Sequence, residues 1–236
     1  MSAIATTPGG GFVVVWDSQG QDGNLGGVFG QRFGPPDLIF RDGFDSGNLG
    51  KWSLAVTDGT NLSATVAAAM AGTAFGLEAL VNDNNSLYVQ DDSPDFENRY
   101  RARFYLDPNG FDPGEASSHF RIRIFIAFDP SGLRVATVVL KRQAGAYSVE
   151  GRVRRNDGTR VDTGFFPITD GPHFMELDWQ RSTGPGAADG AFEMWIDNDA
   201  SPIDFARMGA IAVKTGASGT LYYDQFESRR RTFIGP

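Results

Sequence analysis

The sequence predicts an all-β protein, an antiparallel two-sheet β-sandwich with an N-terminal β-hairpin appendage. Three observations support this fold class. Five segments alternate apolar and polar residues with a period of two, which is typical of strands that bury one face. Turns rich in Gly, Pro, Asn and Asp separate these segments. The chain also contains 30 glycines, 12 prolines and 12% aromatic residues, which favours short packed strands joined by many turns.

The N-terminal part of the chain is predicted to form a unit of its own. Two apolar runs, at residues 12–16 and 27–33, flank a glycine-rich segment, a pattern that is typical of a β-hairpin. A lone hairpin is marginally stable in water, so it should pack against another element. The two prolines at 35 and 36 prevent a regular strand or helix from crossing that point. We therefore divide the chain into the hairpin, residues 1–36, and the sandwich, residues 37–236.

The sandwich contains the five alternating segments. They cover residues 99–106, 119–128, 147–154, 175–180 and 192–197. In each segment the apolar positions are expected to face the core and the polar positions the solvent. A short alanine-rich run at 65–72 fits either a helical turn or a strand, because the residues before it are rich in threonine.

Composition excludes several classes of function. The formal net charge of −8 argues against a general nucleic-acid binder, which needs a basic surface. The chain has no cysteine and two histidines, which excludes disulfides, thiolate chemistry and multi-histidine metal sites. No run of residues is long and apolar enough for membrane insertion, and the first eight residues do not form a signal peptide. We expect a fragment that begins within a longer protein, with Met1 added.

Residues 10–33, GGFVVVWDSQGQDGNLGGVFGQRF, resemble one unit of a repeat found in large bacterial secreted and surface proteins. Such repeats stack into propeller-like or solenoid arrays of β-structure. The resemblance implies that this hairpin is the last unit of an array. Its partners would be neighbouring domains of the parent protein, or neighbouring subunits.

Four motifs follow in order in the rest of the chain. They are DGFDSGNLGKW at 42–52, DGPHFMELDW at 170–179, GAFEMWID at 190–197 and GTLYYDQF at 219–226. Together they resemble the concanavalin-like and laminin-G-like jelly-roll superfamily, over residues 38–231. The resemblance implies a jelly-roll sandwich and an extracellular or cell-surface location. The link from 197 to 205 is shorter than in many relatives. Because the superfamily includes lectins, adhesion modules and glycanases, fold alone leaves the activity open.

The same resemblance implies a structural calcium ion. In similar jelly rolls an acidic residue of the first strand and one of the last strand meet at the ion, and the matching residues here are Asp45 and Asp224. Calcium takes six to eight oxygen ligands, so backbone carbonyls and water would supply the others. The alternative is two surface aspartates that cap turns.

The polar positions of the five strands form the second candidate site. If all five strands share one sheet, one face carries arginines, acids and aromatic rings. The arginines are Arg101, Arg103, Arg121, Arg123, Arg152 and Arg154, the acids are Glu150, Glu176, Asp178 and Glu193, and the rings are Tyr105, Phe125 and Trp195. Rings stack on sugars and guanidinium groups bind carboxylate or sulfate, so this face is predicted to bind a glycan or surface polymer. The alternative is a solvated sheet with cross-strand ion pairs.

A glycanase is the third possibility. Glu176 and Asp178 match the start of the concanavalin-like glucanase motif, in which three carboxylates alternate along a strand. Retaining hydrolysis needs two carboxyl groups about 5–5.5 Å apart, but Gln180 and Arg181 stand where the third carboxylate is expected. We therefore predict a noncatalytic carbohydrate-binding or adhesion module of a larger bacterial surface protein. A structural module that assembles through strand pairing and a degenerate hydrolase are the alternatives.

Overall fold

The computed structural model describes residues 2–6, 12–21, 23, 25–33, 37–94, 96–155, 157–184, 187, 189–197 and 207–229. These ranges contain eighteen strands and one short 3-10 helix, Glu115–Ser117. The strands form three antiparallel sheets, of three, seven and eight strands. The predicted all-β, antiparallel sandwich is confirmed. No helix in these ranges is long and apolar enough to cross a membrane.

The three-stranded sheet contains β1 (Ser2–Thr6), β2 (Phe12–Gln19) and β3 (Gly26–Phe33). The predicted hairpin corresponds to β2 and β3, which pair from Phe12 opposite Phe33 to Gln19 opposite Gly26. The sequence did not predict β1, which pairs with the other edge of β2. The proposed boundary at 34–36 lies outside the described residues, so the domain division remains a prediction.

The seven-stranded sheet contains the first and last strands of the sandwich. Its members are β4 (Leu38–Asp42), β6 (Leu62–Thr65), β7 (Gly76–Val81), β9 (Arg99–Asp107), β15 (His173–Gln180), β16 (Ala191–Ile196) and β18 (Gly219–Arg229). Their order is β16-β15-β9-β18-β7-β6, and β4 pairs with the end of β18. The opening and closing motifs therefore lie side by side, with Asp42 opposite Phe226.

The eight-stranded sheet forms the other layer. Its members are β5 (Leu54–Val56), β8 (Leu87–Gln90), β10 (Arg121–Phe128), β11 (Arg134–Gln143), β12 (Ala146–Arg154), β13 (Arg160–Asp162), β14 (Phe166–Ile168) and β17 (Arg207–Ile211). Their order is β13-β12-β11-β10-β17-β8-β5, and β14 also pairs with β12. The residues after β6, which fitted either a helix or a strand, form turns.

The core lies between the seven- and eight-stranded sheets. Phe104 of β9 stacks on Phe125 of β10, with ring centroids 5.8 Å apart, and both side chains are fully buried. The Tyr223 hydroxyl of β18 crosses the core and donates to the Gly209 carbonyl of β17 at 3.1 Å. These contacts fix the two sheets face to face and leave their polar sides pointing outward.

Candidate functional site

Of the thirteen side chains of the predicted polar face, nine were predicted to contact the ligand, and these nine lie on two different sheets. Those on the seven-stranded sheet are Arg101, Arg103, Tyr105, Glu176, Asp178 and Trp195, and those on the eight-stranded sheet are Arg121, Arg123 and Arg152. The assumption that all five alternating strands share one sheet was wrong. The outer faces of the two layers of a sandwich point in opposite directions, so one compact ligand cannot contact both sets.

The outer face of the seven-stranded sheet holds a buried network of ion pairs. Arg101 lies opposite Asp178, and Arg103 lies opposite Glu176 in the pairing of β9 with β15. The Nη1 atom of Arg101 is 3.3 Å from Glu176 Oε1, and its Nη2 atom contacts Asp178. Glu176 is 0% exposed and Asp178 is 2% exposed. Buried charges are tolerated in this way when oppositely charged neighbours compensate them.

Other side chains of the same face complete this network. The Trp195 ring lies over the Arg101 guanidinium, 5.1 Å from its centre, which is a cation–π contact. Arg103 Nη2 lies 3.7 Å from Glu227 Oε2. The Tyr105 ring packs edge-on against Phe174, with centroids 5.7 Å apart. These side chains therefore contact neighbouring side chains of the same face.

The carboxylate pair considered for a glycanase belongs to this network. Arg99 Nε donates to Asp178 Oδ1 at 2.8 Å, so Asp178 is held by two arginines. A glycosidase carboxyl pair has to contact the sugar directly, whereas Glu176 and Asp178 are covered by neighbouring side chains. This geometry favours a structural role for both acids.

A β-bulge in β10 moves Phe125 from the predicted polar face into the core. Arg123 pairs with Val139, whereas Phe125 pairs with the adjacent Val138, so Ile124 is an extra residue in the strand. Such an insertion reverses the side-chain alternation beyond it. Arg123 therefore faces outward and Phe125 inward, although strict alternation placed them together.

The outer face of the eight-stranded sheet carries an open groove of about 730 Å³. Its apolar surface comes from Val56, Ile126 and Ile211 and from the rings of Tyr88 and Phe128. Strands β5, β8, β10 and β17 supply these side chains, so the groove rests on the sheet itself. Small-ligand sites combine apolar surface with a few polar groups, and this groove has both.

The polar groups of the groove lie around this apolar surface. Asp58, Asn85 and Ser86 line one part, and Arg123 and Arg134 line another. The Asn85 amide donates to Asp58 Oδ1 at 3.3 Å, which orients both side chains. Carboxylate, amide and guanidinium groups of this kind can hydrogen-bond sugar hydroxyls while the rings stack on the apolar face of a sugar.

The three predicted arginines of this sheet have different surroundings. Burial, together with the guanidinium groups of Arg134, Arg160 and Arg152, lowers the pKa of Arg123. The Nε atom of Arg152 forms an ion pair with Glu150. Arg121 lies over the Phe165 ring, 5.3 Å from its centre, and does not line the groove. Arg123 is thus the predicted residue that is most central to the groove.

The two predicted calcium ligands contact the same loop, which follows β6. Asp224 is fully buried, and its carboxylate accepts hydrogen bonds from the Met70 and Gln225 N–H groups and contacts the Thr73 hydroxyl. Asp45 Oδ1 accepts from the Ala74 N–H group at 2.8 Å. Burial raises the pKa of Asp224, and the like charge of Asp45 raises it further. In the described ranges, no three His, Cys, Asp or Glu side chains converge as a metal site.

No family model and no curated protein sequence matches this chain. Solved structures do match. The globular domain of T. cruzi calreticulin has a TM-score of 0.54 and 9% identity, over 83% of this chain and 89% of that one. The binding domain of Paraclostridial Mosquitocidal Protein 1 has a TM-score of 0.52 and 12% identity, over 84% of this chain and 50% of that one. The type G botulinum neurotoxin receptor binding domain has a TM-score of 0.47 and 8% identity, over 68% and 40%.

These similarities concern the fold alone. The chain spans half or less of the length of the two toxin domains that it matches. At identities of 8–12% the shared feature is an all-β sandwich, and a fold hosts many activities. Function therefore has to be argued from the groove and its side chains.

Several residues of the groove were missed by the sequence analysis. Tyr88 belongs to β8, a strand of four residues, which is too short for a clear alternating pattern. Phe128 lies beyond the bulge of β10 and Arg134 begins β11. The sequence carried a weak signal for β11, because residues 135–140 are apolar apart from Thr137 and such a run does not show which face is outward.

Proposed function

We propose that this protein is a noncatalytic carbohydrate-binding module of a larger extracellular or cell-surface bacterial protein. The groove on the eight-stranded sheet carries the proposal, because it combines the Tyr88 and Phe128 rings with the polar groups of Asp58, Asn85 and Arg123. Rings supply apolar contact and the polar groups fix the orientation of a sugar. The match to the binding domain of Paraclostridial Mosquitocidal Protein 1 is in keeping with a binding role.

The test is a glycan-array screen of the purified chain, followed by titration of any bound glycan. In the Tyr88→Leu variant we expect affinity to fall about tenfold, equivalent to about 1.4 kcal/mol, because leucine keeps the apolar contact and loses the ring face. Tyr105→Leu is the matched control, since Tyr105 is a half-buried tyrosine on the outer face of the other sheet. It should bind normally.

Two results would contradict this assignment. Loss of binding in Tyr105→Leu but not in Tyr88→Leu would move the ligand to the seven-stranded sheet. No binding to any glycan would favour the assembly role. A specific observation supports that alternative: each face of the three-stranded sheet exposes an apolar side chain, Ile4 at 71% on one face and Val28 at 78% on the other. Such a surface suits pairing with neighbouring domains or subunits.

We also propose that Asp45 and Asp224 hold one structural calcium ion. The carboxylates interact electrostatically and both contact the loop after β6, so a cation would offset their mutual repulsion. The two carboxylates would supply part of the six to eight oxygen ligands of calcium, and carbonyl and water oxygens would supply the others. The ion would join the first and last strands of the sandwich.

Calcium removal is therefore expected to lower the melting temperature. At a hundredfold excess over Kd an ion that binds only the folded state contributes about 2.7 kcal/mol, or about 5–10 °C in Tm for a domain of this size. Differential scanning calorimetry with calcium and with EDTA measures this shift. Asp45→Asn should abolish it, whereas Asp189→Asn, at a solvent-exposed turn, should retain it. An unchanged transition in EDTA, together with no ion by elemental analysis, would remove the proposal.

A further inference from the structure

Five arginines lie together on the outer face of the eight-stranded sheet. Arg123 comes from β10, Arg134 from β11, Arg152 and Arg154 from β12, and Arg160 from β13. All five line one narrow cleft of about 10 Å³, which shares Arg123 and Arg134 with the groove. The arginine cluster, as we call these five residues, therefore extends the groove across four neighbouring strands.

The arginine cluster is not neutralised by the protein. Arg152 pairs with Glu150, and Arg154 donates to the backbone carbonyls of Arg134 and Gly158 at 3.2 and 3.1 Å. Within the described part of the chain, none of the other three arginines lies within 4.0 Å of a carboxylate oxygen. This positive region stands out on a chain whose net charge is −8.

The guanidinium groups are close enough to repel one another. Burial and the neighbouring arginines lower the pKa of Arg123, and the same causes lower the pKa of Arg160. Guanidinium groups bind carboxylate and sulfate through two parallel hydrogen bonds. An anionic ligand would therefore both use these donors and relieve the repulsion among them.

The geometry of the cluster points to a polymer that carries several charges. Neighbouring strands are about 4.8 Å apart, so the path from β10 to β13 covers three spacings, or about 14 Å. The backbone positions of the arginines extend over that length, which matches an extended chain with several charges. The cluster also adjoins the apolar surface of the groove, which includes the Tyr88 and Phe128 rings. This arrangement suits sugar units that present an apolar face and an acidic group.

We infer that the groove binds an acidic polysaccharide, with its carboxylate or sulfate groups on the arginine cluster and its sugar rings over Tyr88 and Phe128. This inference rests on the proposed carbohydrate-binding function and names the ligand class. It adds Arg134 and Arg160, and it includes Arg154, which the alternating pattern already placed on the polar face. Binding depends on this local cluster, because the overall charge of the chain repels polyanions.

Three polymers with one backbone test the inference: dextran, carboxymethyl-dextran and dextran sulfate. We expect the protein to bind at least one of the two charged polymers and not dextran, by isothermal titration calorimetry at 0.15 M salt. The double variant Arg134→Gln/Arg160→Gln should reduce affinity about 100-fold, since each charge-assisted contact contributes about tenfold or more. The control Arg41→Gln/Lys214→Gln removes the same charge from exposed sites outside the groove and should bind within twofold of the unmodified protein.

Each other outcome has a defined meaning. Equal losses in the two double variants would show a general charge effect and overturn the inference. Equal competition by a single-stranded oligonucleotide of matched charge would also overturn it, because the groove would then select charge and not sugar. Binding of a neutral glycan on the array with no binding of charged dextrans would overturn this inference and leave the proposed function standing. If the protein bound neither a neutral glycan nor a charged dextran, this inference and the proposed function would both be overturned.

Discussion

Replacing Gly209 by alanine is expected to destabilise the protein by about 3 kcal/mol or more. Gly209 is the central residue of β17 and pairs with Tyr88 of β8. A Cβ atom at this position would lie 2.3 Å from the Leu87 carbonyl oxygen and 2.8 Å from Tyr88 Cα. Both atoms belong to backbone, so β8 would have to move as a whole, and overpacking of this kind typically costs 1–3 kcal/mol.

The backbone conformation of Gly209 adds to this effect. Its φ of +144° is one that residues with a side chain rarely adopt, and holding alanine there adds about 1–3 kcal/mol. The Gly209 carbonyl also accepts the buried Tyr223 hydroxyl at 3.1 Å. A shift of β17 would therefore weaken a hydrogen bond between the two layers as well as the pairing within one of them.

Urea denaturation with matched controls separates these causes. Gly132→Ala introduces a side chain at a φ of +77° with no atom within 4 Å of the new Cβ, so it measures backbone strain of about 1 kcal/mol. Gly184→Ala adds a Cβ in open space at an ordinary φ and should change stability by less than about 0.5 kcal/mol. If Gly209→Ala were no worse than Gly132→Ala, the close approach of β17 to β8 would be wrong.

The Gly209→Ala substitution is also expected to affect ligand binding. Tyr88 and Ile211 line the groove, and both lie beside this glycine. A displaced β8 would move the Tyr88 ring relative to Arg123. We therefore expect the folded fraction of Gly209→Ala to bind the glycan more weakly, whereas Gly132→Ala should bind normally.

The contrast between strands and sheets shows what the sequence could predict. Alternation is a local property, so the strands β9, β10, β12, β15 and β16 were found from residue order alone. Membership of a sheet depends on pairing between distant segments, such as β9 with β15 and β10 with β17. In an antiparallel sandwich every strand buries one face, so strands of both layers have the same pattern. The predicted set of nine ligand-binding residues was therefore divided between two faces.

The site was harder to predict than the fold for a related reason. The groove depends on the bulge at Ile124, which sends Phe125 inward and places the buried Ile126 beneath the groove. It also depends on β8 and β17, two short strands with little pattern of their own. Arg123 could be found because alternation is intact on its side of the bulge. Arg160 could not be found in this way, because β13 has three residues and is too short to show an alternating pattern.

Replacing Arg101 by methionine is expected to destabilise the protein by about 3–5 kcal/mol. The side chain of Arg101 is 8% exposed and contacts both Glu176 and Asp178. Its removal leaves Glu176, which is 0% exposed, beside an apolar side chain. Breaking a buried pair in this way is strongly destabilising, since the buried Glu176 carboxylate loses one of its charged partners. Urea denaturation at pH 7 measures the loss.

Arg99→Met is the matched control for this change. Arg99 contacts the same Asp178, but its side chain is 39% exposed and Asp178 retains Arg101 after the substitution. The expected loss is about 1 kcal/mol or less, as for other solvent-exposed ion pairs. The double variant Arg101→Met/Glu176→Leu should recover much of the stability lost by Arg101→Met, because well-packed apolar residues can replace a buried ion pair at little cost.

The same variants decide between the two outer faces as the site of binding. If the seven-stranded face is structural, the folded Arg101→Met protein keeps its affinity for the glycan, while its free energy of unfolding falls. If Arg101→Met instead lost little stability and much of its affinity for the glycan, the seven-stranded face would be the binding site. Arg101, Glu176 and Trp195 would then contact the ligand, as alternation along the strands first indicated, and the groove beside Tyr88 would lose its assignment.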